Sequence, residues 1–328
     1  MVKVMTPQSP SAHPVEDENI SSPDLLDLTE SDARQPKHST LGGLLRTARP
    51  KQWVKNILVF AAPAAAGVLS EGEILRDSIL AFFVFSLASV GTYFINDISD
   101  VESDRLHPKK RHRPIAAGSV GVPLAWGVAV TSLVASLTLA AALNGWRLAA
   151  VVAGYLLLTF SYSTWLKRLA VIDLACVAAG FVLRMIAGGI ATDVPISNWF
   201  LTVASFSSLF VVAGKRYAEV VEMGEGQAGS RAVLKDYTAS FLRTTCGVAM
   251  AVAVASYCQW AFERADIAGS HVWYELSAVP WVMSLLRYLL LLERGQGGTP
   301  EDVLLSDRAL QVLGVIWLLL FALGVYDK

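Results

Sequence analysis

Beyond Arg49-Pro50 the chain is a succession of long apolar runs. A bilayer's hydrocarbon core, about 30 Å thick, takes roughly 20 residues of helix to cross. That ruler places spans at 53–70, 78–96, 122–143, 146–164, 171–192, 196–214, 237–260, 273–292 and 307–326. The runs are continuously apolar and lack the period-two alternation of a membrane β-barrel. In lipid every backbone N–H and C=O needs a partner inside the protein, which leaves helices. The sequence therefore predicts an all-α integral membrane protein, a nine-helix transmembrane bundle over residues 45–328. Pro63 interrupts the first run.

Composition agrees. The chain is 54% hydrophobic and 17% charged, against about 45–50% and 25% in soluble domains. A net charge of −1 gives no reason to expect a nucleic-acid partner. Residues 1–44 are rich in Ser, Pro, Asp and Glu and read as a disordered cytoplasmic tail. Cys176, Cys246 and Cys258 each lie in an apolar run without metal-ligand spacing, which makes them packing thiols. With the N-terminus in the cytoplasm, inward loops carry Arg105, Lys109, Lys110, Arg111, Arg113, Lys167, Arg168, Lys215, Arg216, Arg231, Lys235 and Arg294. Outward loops carry Arg76, Arg147, Arg264 and Lys328. This positive-inside asymmetry predicts a multi-pass protein of the plasma membrane with its functional face in the cytosol and its C-terminus outside.

The second span runs into Asn96-Asp97-Ile98-Ser99-Asp100-Val101-Glu102-Ser103-Asp104. If the helix continues at about 100° per residue, with Asp97 at zero, Asp104 falls near 340°, Asp100 near 300° and Asn96 near 260°. Tyr93 falls near 320° on the same rule, and Glu102 points away. A lone DxxD would read as a solvated helix end. Here Asn96, Asp100 and Asp104 repeat every fourth residue at a membrane boundary. Mg²⁺ takes one or two carboxylates together with substrate phosphate oxygens, and several like charges held together call for a cation. The expected metal ligands are Asn96, Asp97, Asp100 and Asp104. The basic run His107-Pro108-Lys109-Lys110-Arg111-His112-Arg113 follows directly, as a polyphosphate site requires. Its histidines read as loop residues.

A second half-site echoes the first: Tyr162, Lys167 and Arg168 close the fourth span and Asp173 opens the fifth. Arg184 returns to nearly the face of Asp173, about 16 Å deeper. An arginine at mid-span faces a bundle interior or wet cavity, as a phosphate ligand or a structural pair. Lys55 and Asn56, beside the interfacial Trp53, lie close enough to the boundary to reach a cytosolic site.

These strings resemble the UbiA-type prenyltransferase superfamily, nine-helix enzymes that bind a diphosphate through Mg²⁺. The family's NDxxDxxxD pattern matches Asn96, Asp97, Asp100 and Asp104. Its second motif has two aspartates four apart, and here Val177 replaces the second, leaving Asp173. More narrowly, the chain is similar to the decaprenyl-phosphate phosphoribosyltransferase branch. That similarity is carried by Arg49-Pro50-Lys51-Gln52-Trp53-Val54-Lys55-Asn56, the acidic block with His107 to Gly118, Leu183 to Gly189, Val212 to Glu219 and Trp260 to Arg264.

The resemblance implies transfer of 5-phosphoribose from cytosolic phosphoribosyl diphosphate (PRPP) to a polyprenyl phosphate from the bilayer, releasing diphosphate, in cell-wall arabinan synthesis. It casts Asn96, Asp97, Asp100, Asp104, Lys167 and Asp173 as catalytic. Lys55, Tyr93, Lys110, Arg113, Tyr162, Lys167 and Arg184 become substrate-binding, with Asp173 orienting Lys167 or a second metal. Two other readings remain: an aromatic prenyltransferase, in which the diphosphate belongs to the lipid, and a transporter, which would place its charges at mid-membrane.

Overall fold

The computed structural model describes residues 39–224, 232–268, 271–296 and 300–326. Contacts divide the chain into Met1–Ser39 and Thr40–Lys328, and the description concerns the second unit. The tail expected over residues 1–44 lies outside the described residues as far as residue 38. Residues 40–44 instead belong to a helix, α1 (Thr40–Ala48).

Then follow a 3₁₀ helix (Pro50–Phe60), α2 (Ala61–Ala65), α3 (Gly72–Ser99), α4 (Val101–Leu106), α5 (Val122–Thr164), α6 (Ile172–Ala191) and α7 (Asn198–Gly224). The chain ends with α8 (Ala239–Ala268), α9 (His271–Glu293), α10 (Pro300–Ser306) and α11 (Arg308–Tyr326). There is no strand among the described residues.

Among the described residues six helices are long and apolar enough to cross a membrane: α3, α5, α6, α8, α9 and α11. The expected count of nine spans is not carried over, and three places account for the difference. The predicted spans 122–143 and 146–164 are the two helical arms of α5, parted by a kink at Asn144 (φ −143°, ψ 44°) and Gly145 (φ 54°, ψ −150°). Unbroken, its 43 residues would be about 65 Å long, twice the hydrocarbon thickness. Glycine accepts the left-handed backbone that the break needs, and Asn144 donates to Asp193 at 3.1 Å to hold it. Both arms then flank α3, one at Gly91, where a Cβ would meet Leu133 at 2.6 Å, the other through Phe85 and Tyr155, whose rings are 5.2 Å apart.

The second place is α7, whose last turns carry Lys215, Arg216, Glu219 and Glu222 and which is not among the six. The third is the predicted span 53–70, which is the 3₁₀ helix followed by α2 rather than a long α-helix. A 3₁₀ helix rises about 2.0 Å per residue, so these residues cover more depth than an α-helix would. The conformation is held by tertiary contact. Val59 is fully buried, and a Cβ on Gly188 of α6 would lie 1.7 Å from its carbonyl oxygen. The two backbones touch because residue 188 has no side chain.

Gly188→Ala therefore forces the 3₁₀ helix off α6, at a cost of about 1–3 kcal/mol or more. Its unfolding temperature in detergent falls clearly, whereas Gly154→Ala, where the added methyl meets nothing within 4 Å, leaves it unchanged or raised.

Candidate active site

The apolar face of α3 packs Val90, Phe94 and Ile98 against Ile115, Val120, Ala125 and Ala129, and this packing fixes the helix's acidic end. The α-helix stops at Ser99 and Asp100 departs from helical geometry (φ −92°, ψ 2°). The hydrogen-bond ladder nevertheless runs on, from the Asp100 N–H to the Asn96 carbonyl (3.0 Å) and from the Asp104 N–H to the Asp100 carbonyl (2.8 Å). The face expected from the sequence is thus largely kept.

Asp97 and Asp104 are buried, 3% and 2% exposed, and they converge. Arg113 Nη1 donates to Asp97 Oδ1 at 3.1 Å and to Asp104 Oδ2 at 2.8 Å. Arg49 Nη2 donates to the same Asp97 oxygen at 2.6 Å, and its guanidinium lies 5.1 Å from the centre of the Tyr93 ring. Asn96 and Tyr93 are half-buried, while Asp100 is exposed, in line with its position some 60° round the helix from Asp97. Glu102 faces away, as expected, and pairs with Arg105 at 2.9 Å.

The expected set of four metal ligands is therefore only partly drawn together. Among the described residues no group of three or more His, Cys, Asp or Glu side chains is gathered closely enough to hold a metal ion. Two carboxylates do point their oxygens at one cationic nitrogen. Hard carboxylate oxygens aimed at a common point suit a divalent cation that takes its other ligands from phosphate.

Lys110 lies in a short 3₁₀ turn (Lys110–His112) and is half-buried, as is Lys55. His107 Nδ1 accepts the Lys109 and Lys110 N–H groups at 3.2 and 3.3 Å, which fits a loop-shaping residue.

The second half-site is built differently from the expectation. Asp173 is fully buried. Arg216 Nε donates to its Oδ2 at 2.9 Å, and the Tyr237 hydroxyl donates to its Oδ1. Burial pushes the Tyr237 phenol above its ordinary pKa, and the bond to Asp173 adds to the shift, so it remains a donor. That hydroxyl also accepts the Val171 N–H at 2.6 Å. Both Asp173 oxygens are thus committed, and Lys167 is exposed. Asp173 thus stands at a junction of α6, α7 and the segment before α8, where its bonds run to Arg216 and Tyr237. Tyr162 is half-buried, its hydroxyl 3.4 Å from Arg216 Nη2, and Arg216 also meets Glu219 at 3.0 Å.

Arg184 is buried and donates to Asn56, Tyr155 and the Gly180 carbonyl. Asn56 in turn donates to Ser86 at 3.1 Å. Beside this network lies a cavity of about 450 Å³ lined mainly by apolar and aromatic groups, among them Leu58, Phe181, Met185, Trp260, Trp281 and Trp317. Sequence reasoning missed Arg49 and Tyr155 as site residues and took Arg216 for a topology signal. The signal for Arg49 was its place just ahead of the first apolar run. Tyr155 and Tyr237 find their partners 29 and 64 residues away, which no local pattern reveals.

The model of the UbiA prenyltransferase family matches residues 57–304. The chain is 41% identical over 310 residues to the decaprenyl-phosphate phosphoribosyltransferase of Corynebacterium glutamicum, covering 93% of both chains. It is 43% identical over 295 residues to the protein of the same name from Mycobacterium tuberculosis, covering 89% of this chain and 97% of that one. Among solved structures, a UbiA homolog from Archaeoglobus fulgidus bound to GPP and Mg²⁺ superimposes with a TM-score of 0.65 at 20% identity, over 87% of this chain and all of that one. The apolar helices, the fold and the matched residues agree: this multi-pass membrane protein belongs to the UbiA prenyltransferase family.

Proposed function

We propose that the protein transfers 5-phosphoribose from PRPP to decaprenyl phosphate or a related polyprenyl phosphate, releasing diphosphate. The observation that carries this reading is a match over about nine-tenths of the chain to proteins named decaprenyl-phosphate phosphoribosyltransferase. The site suits it. Asp97 and Asp104 converge on one cationic point and two arginines flank them, as a diphosphate held with a divalent metal requires.

Asn96, Asp97, Asp100 and Asp104 would hold Mg²⁺, which when bound supplies Lewis-acid neutralisation of the leaving diphosphate. The chain's own groups do the rest. Arg49 and Arg113 add two permanent positive charges beside the acids. Lys55 on the 3₁₀ helix and Lys110 and Lys167 on the basic loops would neutralise the phosphates, and Tyr93 and Tyr162 would offer hydroxyls to phosphate or sugar.

As the anomeric C–O bond to diphosphate breaks, its electron pair leaves with the diphosphate. An oxygen of the lipid phosphate forms the new bond from the opposite side, giving inversion. A phosphate monoester, with a second pKa of about 6, is already largely dianionic at pH 7, so no general base is needed. PRPP would come from the cytosol, with α3's acidic end facing it in the plasma membrane. The polyprenyl tail would lie in the apolar cavity and continue into the bilayer.

Purified protein given labelled PRPP, Mg²⁺ and decaprenyl phosphate will yield a labelled lipid, and Asp100→Ala will abolish this without impairing membrane insertion. Prenylation of a hydroxybenzoate in place of that product would sink the reading.

The two half-sites will also separate. Asp104→Asn raises the Mg²⁺ concentration for half-maximal rate by roughly tenfold or more. Asp173→Asn lowers the unfolding temperature while leaving the Mg²⁺ requirement within about twofold. The reverse pattern would make Asp173 a metal ligand.

A further inference from the structure

Arg184 differs in its company from Arg216, the other buried arginine among the described residues. It is 7% exposed. Its Nε donates to Asn56 Oδ1 at 2.8 Å, Nη1 to the Gly180 carbonyl at 2.6 Å and Nη2 to the Tyr155 hydroxyl at 2.9 Å. All three acceptors are neutral, and among the described residues no carboxylate pairs with it. The Tyr155 and Phe85 ring centres lie 4.7 and 5.9 Å from its guanidinium carbon, which eases the charge without cancelling it. Arg216, buried to a similar degree, has both Asp173 and Glu219. A guanidinium carries five N–H donors, so Arg184 keeps an uncompensated charge and spare donors in a place where an isolated charge is costly.

Its position is equally specific. Met185 and Phe181 on the same helix line the apolar cavity, and so does Leu58, close in sequence to Asn56. On the other side, Asn56 is bonded to Ser86 and the Tyr155 hydroxyl lies 3.5 Å from Ser89, both on α3. Ser89 is about 12 Å along that helix from Asp97. Between these levels on α3 lies Tyr93, whose ring centre is 5.1 Å from the Arg49 guanidinium that holds Asp97. Arg184 thus separates an apolar chamber from the acidic end of the site.

An amphiphile with a hydrocarbon tail and one anionic head matches both sides of this arginine. We propose that Arg184 binds the phosphate of the polyprenyl acceptor rather than the 5-phosphate of the donor. The inference rests on the phosphoribosyl-transfer reading and assigns a substrate within it. The nucleophilic oxygen then approaches the anomeric carbon from below while the diphosphate departs towards Asp97 and Asp104. One C–O bond forms as the other breaks, and no proton moves.

The test uses the full chain in detergent with PRPP, Mg²⁺ and decaprenyl phosphate. Loss of one charged hydrogen-bonding group is worth roughly 10- to 100-fold in binding, so Arg184→Gln should raise the acceptor KM by about that factor and leave the donor KM within about twofold. In the same variant the thermal stabilisation by farnesyl phosphate disappears, and that by PRPP with Mg²⁺ persists. A raised donor KM, an equal rise in both, or intact stabilisation by farnesyl phosphate overturns the assignment. Should Arg184→Gln fail to fold, Tyr155→Phe keeps the ring and removes an acceptor of the guanidinium. A change in the acceptor KM alone then supports the assignment; a change in the donor KM, or in neither, overturns it. A wild-type protein that transfers nothing from PRPP refutes the transferase reading itself, a result distinct from all of these.

Discussion

A guanidinium drawn wholly or partly out of water has to find its partners inside the protein, and this bundle is tied together at three such points. Arg113 and Arg49 gather Asp97 and Asp104, joining the segment after α1, the end of α3, α4 and the basic loop. Arg216 gathers Asp173, Glu219 and Tyr162, joining α5, α6 and α7, and Tyr237 adds the segment before α8. Arg184 joins the 3₁₀ helix, α5 and α6, with α3 reached through Asn56 and Ser86. Apolar packing between helices gains little in lipid, where the surroundings are as apolar as the side chains themselves. Polar junctions such as these set the relative depth and rotation of the helices.

The three points differ in charge, and that difference assigns their roles. At the first, two carboxylates meet two arginines, with exposed Asp100 and the basic loop beside them. At the second, Asp173 is sealed from solvent and the position four residues on is Val177. Asp173 is bonded to Arg216 and Tyr237, so a repeat-like pattern in the sequence yields one half open to solvent and one half sealed from it. At the third, the charge has no anion, and breaking a compensated pair is not what a ligand there would have to do. An incoming phosphate supplies what the protein omits.

Much of this was legible in the sequence. The apolar runs located the helices because lipid imposes a length, and the break between 143 and 146 was visible as Asn144-Gly145-Trp146-Arg147. The 100° step placed Asp97 and Asp104 together and sent Glu102 outward. The 3₁₀ geometry of residues 50–60 was not legible, since it depends on Gly188, far along the chain, allowing Val59 to touch α6. Nor was the fate of Asp173, because its partners Arg216 and Tyr237 sit 43 and 64 residues later. Arg216 in particular looked like one more charge of an inward loop. Period and length report what a segment does alone, whereas a buried polar contact is a property of two segments.

Backbone strain follows the same division. Arg49 (φ 51°) and Val171 (φ 68°) are non-glycine residues in the left-handed region, and for a β-branched valine that is a true outlier. Such conformations cost about 1–3 kcal/mol each and persist where the surroundings over-determine them. Each stands at the entrance to one half of the site, and each is held by the carboxylate of that half. Arg49 reaches Asp97 directly. Val171 is held by its N–H to Tyr237, which is bonded in turn to Asp173. The acid of the second half therefore secures a strained turn through a buried phenol, sealed from solvent. The acid of the first half secures its turn through an arginine one-third exposed, whose charge still reaches the space where a phosphate would lie. One device, a carboxylate fixing a left-handed residue, serves as scaffold where it is sealed and as part of the site where it stays open.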